Sequence, residues 1–382
     1  MSEFAPGTEE EVRDCIRAAL AEQRKLEVRG GGTKAELGTP DRDTDILSTQ
    51  GLTGIVDYDP SELVMTVRAG TPLVDVQRAL AEANQHLAFE PYGNPQSTIG
   101  GIVAAGISGS RRLSAGAVRD YVLGFRAVSG RGEIFVAGGK VVKNVTGYDL
   151  SKLVTGSWGR LAALVEVTLK CVPAPQETET MCWHGIAKGD AWPLMARAMG
   201  MPTDVAAAAY LPGRGQDDAR IILRLEGFRP SINSRKRVLS DRLGSCDFVE
   251  PQAAAELWTK VRGGSGLEGS APLWRISVPA RRGLEISSLI DQRGGEWLAD
   301  WAGGLIWARI EGYADDLRQC VGALGGHATL VEAKDNVRRE VAALHLPVPG
   351  IAALNRRVRR AFDPGRVFET GRFMDEADAD TV

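Results

Sequence analysis

The segment Arg29–Lys34 reads R-G-G-G-T-K and follows the apolar-charged alternation K-L-E-V. Three consecutive glycines leave the backbone free to turn several N–H groups toward one point, with no side chain to block an approaching anion. The chemistry on offer is phosphate binding by main-chain donors, with Arg29 and Lys34 adding charge. Taken alone, the same residues also read as an ordinary turn after a strand. They are not a dinucleotide G-x-G-x-x-G, because no helical pattern follows, and they lack the G-x-x-x-x-G-K-[ST] spacing of a nucleoside-triphosphate loop. The later G-G-K-V at 138–141 fails the same test, since no glycine stands five residues before Gly139.

A second block, 97–124, carries Gly100, Gly101, Ala104, Ala105, Gly106 and Gly109, so one side of it can lie flush against a flat ligand or against another backbone. Gly-Gly inside a helix costs about 1 kcal/mol per residue relative to Ala, a penalty easier to understand at a binding site than elsewhere. The third block, 140–175, offers Lys140 and Lys143, which suit either phosphate or a solvated face, and turns at Thr146-Gly147 and Ser157-Trp158-Gly159. The four histidines, His86, His184, His327 and His345, are widely separated, and His184 and His327, each beside a glycine, read as surface or satisfied residues. Cys15, Cys171, Cys182, Cys246 and Cys320 form no C-x-x-C pair, which excludes a zinc, dithiol or iron–sulfur site built on that spacing.

The three blocks in this order, with F-D-P-G-R-V-F-E-T-G-R-F at 362–373, resemble the FAD-binding flavoproteins of the vanillyl-alcohol oxidase (PCMH-type) superfamily. Within it, K-V-V-K-N-V-T-G-Y-D-L-S-K-L followed by G-S-W-G-R-L-A-A-L-V-E-V-T-L-K is most similar to the smaller FAD-binding subunits, the E subunits, of bacterial glycolate oxidases. The resemblance implies an α+β fold, with a two-part PCMH-type FAD-binding domain and a smaller ferredoxin-like cap. It implies that Arg29, Gly30, Gly31, Gly32, Thr33 and Lys34 cradle the FAD pyrophosphate, and that Thr98, Ile99, Gly100 and Gly101 line the flavin side. Gly109, Gly116, Val118 and Asp120 would continue along the cofactor, and Leu164 and Val167 would reach its adenosine end.

Some relatives attach FAD through a histidine beside the glycine turn; Thr33 stands there, so the expected FAD is noncovalent. Relatives that oxidise D-2-hydroxy acids, the larger glycolate oxidase flavin subunit among them, hold a divalent metal with an H-x-H pair. This chain has no such pair, and no metal is expected. The family's terminal F-N-P-G-[KR] is read here as altered to F-E-T-G-R at 368–372, leaving Arg372 as the one candidate catalytic cation. The implied function is an FAD-binding subunit of a multisubunit glycolate oxidase, oxidising glycolate to glyoxylate, in an electron-transfer or supporting role. The alternative is a stand-alone FAD-dependent oxidoreductase acting on a hydroxy acid or sugar alcohol. Implied partners are a second, larger flavin subunit and an iron–sulfur subunit, with membrane contact only through the complex.

Around these blocks, Thr8 with Glu11 forms a capping box that opens a helix over 9–24. Strands are predicted over K-L-E-V-R-G, G-I-V-D-Y-D-P, L-V-M-T-V-R-A-G, Y-V-L-G-F-R-A-V, I-F-V-A-G and L-A-A-L-V-E-V-T-L-K-C-V, with helices after Thr71-Pro72, near 98–107 and at D-L-S-K-L-V-T-G. The 382 residues exceed the usual size of one core. The expected domains are an FAD-binding domain (1–174), a cap (175–335) and a C-terminal segment (336–382) that returns to the FAD domain. Seven of eight tryptophans fall in the cap and suggest docking surfaces, as do Arg338, Arg339, Arg356, Arg357, Arg359 and Arg360. A net charge of −3, from 46 basic and 49 acidic residues, gives no field for nucleic acid. With no long apolar run and an acidic start, the reading is a soluble cytoplasmic protein, held at the inner membrane face only through partners.

Overall fold

The computed structural model describes residues 2–140, 147–213, 219–312 and 314–374. Lys143, Thr146 and the acidic tail from 375 lie outside the described residues. The chain divides into two compact units: 1–108, 117–174 and 346–382 make the first, and 109–116 with 175–345 the second.

The first unit opens with β1 (Glu3–Phe4) and α1 (Glu9–Ala21). The capping box is present: Glu11 N–H donates to Thr8 Oγ1 at 3.2 Å, and Thr8 N–H donates to the Glu11 carboxylate at 3.2 Å. Val12, Ile16 and Ala19, spaced along one face of α1, bury themselves against Leu26, Leu47, Leu52, Val165, Val367 and Phe368. β2 (Leu26–Arg29) and β3 (Asp45–Ser48) pair in parallel, with β1 on the far side of β3. Next come β4 (Ile55–Asp59), β5 (Val64–Arg68), α2 (Leu73–Glu82), β6 (Gln85–His86) and α3 (Ile99–Ala105). After α4 (Arg112–Ala115), which belongs to the second unit, follow β7 (Val122–Ser129), β8 (Ile134–Gly138), α5 (Leu150–Val154), β9 (Ala162–Lys170) and β10 (Val172–Pro173).

Among the described residues, the antiparallel sheet β4-β5-β9-β7-β8 completes the two-part arrangement, and β6 pairs with β10. β9 is its central strand and is buried along nearly its whole length, which is why A-A-L-V-E-V-T-L is an almost unbroken apolar run. Edge strand β4 is mostly exposed.

The second unit runs β11 (Glu177–His184), α6 (Lys188–Gly200), β12 (Ala207–Leu211), β13 (Arg220–Gly227), α7 (Arg229–Leu243), β14 (Asp247–Val249) and α8 (Pro251–Gly263). It continues β15 (Leu273–Ser277), α9 (Gly283–Gln292), β16 (Glu296–Asp300), β17 (Leu305–Arg309), α10 (Ala314–Ala323), β18 (His327–Glu332) and α11 (Asp335–Glu340); α12 (Pro349–Phe362) then returns to the first unit. All the strands from β11 to β18 form one antiparallel sheet in the order β14-β11-β13-β12-β16-β17-β15-β18. Each half is a β-α-β-β-α-β unit with its first strand second from the outer edge. The cap is therefore two ferredoxin-like units joined through β12 and β16, where the sequence suggested one.

Four expectations need correction. The second unit extends to His345 rather than 335, because the chain after α11 is tied back to it: Leu330 N–H donates to Ala343 O (2.8 Å), Ala328 N–H donates to His345 Nδ1 (3.3 Å), and Arg318 donates to Ala342 O. Residues 109–116 also leave the first unit, held by Ser110 to Asp300 (2.7 Å), Arg111 to Glu226 and Ser114 to Ala206 O (2.8 Å). The cap tryptophans are not docking surfaces. Trp183, Trp192, Trp258, Trp274, Trp297, Trp301 and Trp307 are all at most 9% exposed, because the large sheet needs large side chains to fill its faces. The basic region is split likewise: Arg338 pairs with Asp335 in the second unit, and Arg359 is buried beside Glu369 in the first. Among the described residues no helix is long and apolar enough to cross a membrane.

Candidate functional site

β2 ends at Arg29, and the chain turns through Gly30–Lys34 along one wall of a cleft within the first unit. Gly100, Gly101, Ala104 and Ala105 of α3, Trp158, Gly159, Ala162 and Leu164 also line it. The glycines are required first by packing. A Cβ on Gly31 would sit 1.7 Å from the Gln96 carbonyl oxygen, and one on Gly30 2.1 Å from Thr98 Oγ1. At Gly100 it would fall 2.7 Å from the Ala69 Cβ, while Gly32 adopts φ +67. The turn is thereby pressed onto the 96–98 segment, with Thr33 Oγ1 3.1 Å from Ser97 Oγ.

That packing leaves the main-chain N–H groups of Gly30, Gly31, Gly32, Thr33 and Lys34 without an acceptor among the described residues. The Lys34 ammonium likewise has no carboxylate partner there, and burial, then the nearby Arg372, hold its pKa below the ordinary lysine value. Half-buried donors and an unneutralised cation converging on one cleft suit a doubly charged anion. The set fits a pyrophosphate.

Behind the turn lies a buried ionic cluster. Glu27, 4% exposed, accepts from Arg29 Nη2 at 3.1 Å and from Arg42, with Arg372 Nη1 3.6 Å away. Burial would raise the carboxyl's pKa, but Arg372, Arg42 and Arg29 more than offset it and leave Glu27 below its ordinary value. Arg372 also donates from Nε to Leu37 O (2.9 Å) and from its other arm to Lys34 O, and its guanidinium stacks over Trp158 at 5.6 Å. Thus Arg372 reaches the cleft wall, but its donors fix the chain just after the glycine turn. These contacts give Arg372 a positioning role in the wall of the cleft. The altered-motif reading fails, because F-D-P-G-R at 362–366 matches the F-N-P-G-[KR] pattern better than F-E-T-G-R does. Its Asp363 is 2% exposed and accepts from the N–H groups of Val367 (2.9 Å) and Phe368 (2.7 Å).

Of the residues singled out from the sequence, Arg29, Gly30, Gly31, Gly32, Thr33, Lys34, Thr98, Gly100, Gly101, Leu164 and Arg372 line the cleft. The others do not. Ile99 is wholly buried and donates its N–H to Thr71 O; Val167 lies in β9 opposite Val67 and Phe125. Gly109 belongs to the second unit, where its carbonyl accepts from Trp301 Nε1, and Gly116 ends α4 there with φ +90. Val118 N–H donates to Ser108 Oγ, and Asp120 closes a single turn by accepting from Ala117 N–H. Sequence reading missed Glu27, whose signal was a charge at an inward position of L-E-V-R, and took Trp158, a non-glycine residue at φ +59, only for part of a turn and not for a wall of the cleft. Among the described residues no cluster of three His, Cys, Asp or Glu side chains could hold a metal.

Residues 3–138 match the family described as FAD binding domain. The chain is 34% identical over 365 residues to glycolate oxidase subunit GlcE of Escherichia coli, an alignment spanning 94% of this chain and 96% of GlcE. It is 33% identical over 179 residues to glycolate oxidase subunit GlcD of Bacillus subtilis, covering 47% of this chain and 38% of GlcD. A D-lactate dehydrogenase of Archaeoglobus fulgidus is 32% identical over 204 residues, covering 53% of this chain and 44% of that protein. Among solved structures, alkyldihydroxyacetonephosphate synthase superposes with a TM-score of 0.67 at 16% identity, over 96% of this chain and 75% of that one, a likeness of fold.

Glu27→Gln should destabilise the protein by about 3 to 5 kcal/mol at neutral pH, because it leaves Arg42 and Arg372 buried without their counter-charge. Glu27 has a folded-state pKa below its unfolded value, so its contribution is present above the unfolded pKa and lost as pH falls through the folded one. Urea titrations of both proteins should show a gap that narrows on acidification; a gap of zero at pH 7 would contradict the role given to Glu27.

Proposed function

The chain belongs to the family of FAD-binding flavoproteins that includes the GlcE subunit, and on that premise we propose that it is the smaller FAD-binding subunit of a glycolate oxidase. The observation that carries this reading is that the likeness to GlcE runs through both units, 94% of the chain, whereas the likeness to GlcD covers less than half. FAD, when bound, supplies a two-electron acceptor that can be reoxidised one electron at a time. The role assigned to this chain's own residues is binding. The N–H groups of Gly30–Lys34 and the Lys34 ammonium hold the pyrophosphate, Arg372 and Glu27 fix the loop that presents them, and the small residues Gly101, Ala104 and Ala105 of α3 let the cofactor lie close to the backbone. With Thr33 beside the turn, the FAD is held without a covalent bond.

A larger flavin subunit of the GlcD kind and an iron–sulfur subunit complete the proposed assembly, and glycolate is its substrate. The absence of an H-x-H pair from the sequence favours a supporting or electron-transfer role for this chain. Removing the hydroxyl proton of a 2-hydroxy acid needs a base within hydrogen-bond reach, and the carboxylate that lines the cleft, Glu27, is engaged by Arg29 and Arg42 with Arg372 beside it, which hold it below its ordinary pKa. The protein acts in the cytoplasm, and any membrane contact is made through its partners.

The Lys34 ammonium is charged below its depressed pKa, so FAD affinity should fall as pH rises through that value, earlier than an ordinary lysine would dictate. Lys34→Met should weaken FAD binding by about 10- to 100-fold at neutral pH and abolish the alkaline decline. Fluorescence titration measures both, and unchanged affinity in the variant would remove Lys34 from the pyrophosphate site. Acid precipitation should leave the flavin in the supernatant.

Anaerobic mixing of the isolated, FAD-loaded chain with glycolate should leave the flavin absorbance unbleached, while an assembly with the larger flavin subunit turns glycolate over. Rapid bleaching of the isolated chain would instead make it the catalyst.

A further inference from the structure

α12 is anchored at one end and bare at the other. Its C-terminal half is tied into the first unit: Phe362 packs on Phe135 of β8 with ring centroids 6.0 Å apart, Arg131 donates to Ala361 O at 2.9 Å, and Arg359 is buried beside Glu369. The approach to the helix and its first turns differ. Leu346, Val348, Ile351 and Leu354 are each between 51% and 67% exposed, which puts four large apolar side chains on the surface within 346–354. Single exposed apolar residues are ordinary, whereas a contiguous group of them marks a face that something covers.

Ile351 and Leu354 are neighbours on one side of α12, and Arg357, three residues further on, extends the same row. Of the six arginines that suggested docking surfaces in the sequence, Arg338 and Arg359 lie beside carboxylates, and Arg339 and Arg360 have contacts of their own. Arg356 and Arg357 have no hydrogen-bond or ion-pair partner among the described residues. α12 itself holds four arginines and no acidic residue. The exposed face is therefore an apolar strip ending in two unneutralised guanidinium groups.

That charge decides what can cover the strip. A second copy packed on it about a twofold axis would bring two sets of arginines together, with no carboxylate of α12 to separate them. A uniformly anionic bilayer attracts the arginines but repels a chain whose net charge is −3. A protein surface escapes both penalties, because it can set carboxylates opposite Arg356 and Arg357 alone and apolar groups opposite the strip. Such a contact has a water-free apolar centre and arginine at its edge, and arginine is among the residues that carry most interface energy.

We propose that Leu346, Val348, Ile351 and Leu354, with Arg356 and Arg357, form the surface on which this chain docks the larger flavin subunit, through an apolar patch of that subunit edged by carboxylates. The choice of that subunit rests on the function proposed above, while the apolar and basic character of the face stands on the structure. α12 runs on into the segment whose Arg372 donates to Lys34 O, so the docking surface and the cofactor cleft share one stretch of chain.

Sedimentation velocity of the full-length, FAD-loaded chain mixed with the larger flavin subunit tests this. The two should form a complex, and Ile351→Ser and Leu354→Ser should each weaken it about tenfold or more. The Arg356→Gln, Arg357→Gln double variant should weaken it similarly and flatten its dependence on salt, which a merely structural role would not do. Retention of FAD reports that each variant remains folded. A parent chain that forms no complex with the larger subunit overturns the proposed function and this surface with it, whereas a complex that all three variants leave intact overturns the surface alone. Other occupants have their own signatures, each of which also overturns the proposal. They are self-association of the parent chain that Leu354→Ser abolishes, flotation of the parent with phosphatidylglycerol vesicles that Leu354→Ser abolishes, and hydrogen-exchange protection across 346–357 that disappears when the acidic residues 375–382 are deleted.

Discussion

One buried carboxylate organises the first unit. Glu27 sits on β2 two residues before the glycine turn, and the arginines that neutralise it come from three places: β2 itself, the loop before β3 and the C-terminal segment. A charge so buried is tolerable only when its partners are in place. Exposed pairs elsewhere, such as Arg78 with Asp75, contribute little by comparison. Because Arg372 also donates to the Lys34 and Leu37 carbonyls, the path of the chain after the glycine turn is set by a residue 338 positions away from Lys34. The open donors of the turn are thus a property of the whole unit, not of a tripeptide.

Much of this was legible in the sequence, for identifiable reasons. The capping box at Thr8 and Glu11, the strand-turn pattern at Arg29–Gly32 and the long apolar run of β9 are local signals, and each produces the element expected of it. What was not legible depended on distant contacts. R-G-G-G-T-K announces backbone freedom but not the Gln96 carbonyl that forbids a Cβ at Gly31. Arg372 announces a cation but not its use, which only its buried partners decide. Gly109 and Gly116 looked continuous with the small-residue stretch before them, yet a short run of hydrogen bonds commits 109–116 to the second unit.

The second unit shows how a large sheet uses aromatic residues. β12, with the sequence A-A-A-Y-L, is a poor strand by propensity, yet it is the seam where the two ferredoxin-like halves meet, and small side chains suit so buried a junction. Trp192, Tyr210 and Trp297 cluster beside it with ring centroids 5.8 to 5.9 Å apart. Tryptophan clustering in the sequence therefore marked a core, and guanidinium groups lie over several of its rings: Arg224 over Trp258, Arg318 over Trp274, and Arg112 and Arg275 over Trp301.

The central claim is that the five main-chain donors from Gly30 to Lys34 are held open for the FAD pyrophosphate. Hydrogen exchange resolved to these amides, with and without FAD, addresses it directly, because an N–H with no internal acceptor exchanges readily until a ligand supplies one. The account predicts fast exchange at 30–34 in the FAD-free chain and strong protection when FAD is added. Amides at 30–34 that exchange equally fast in both states, with FAD demonstrably bound, would contradict it.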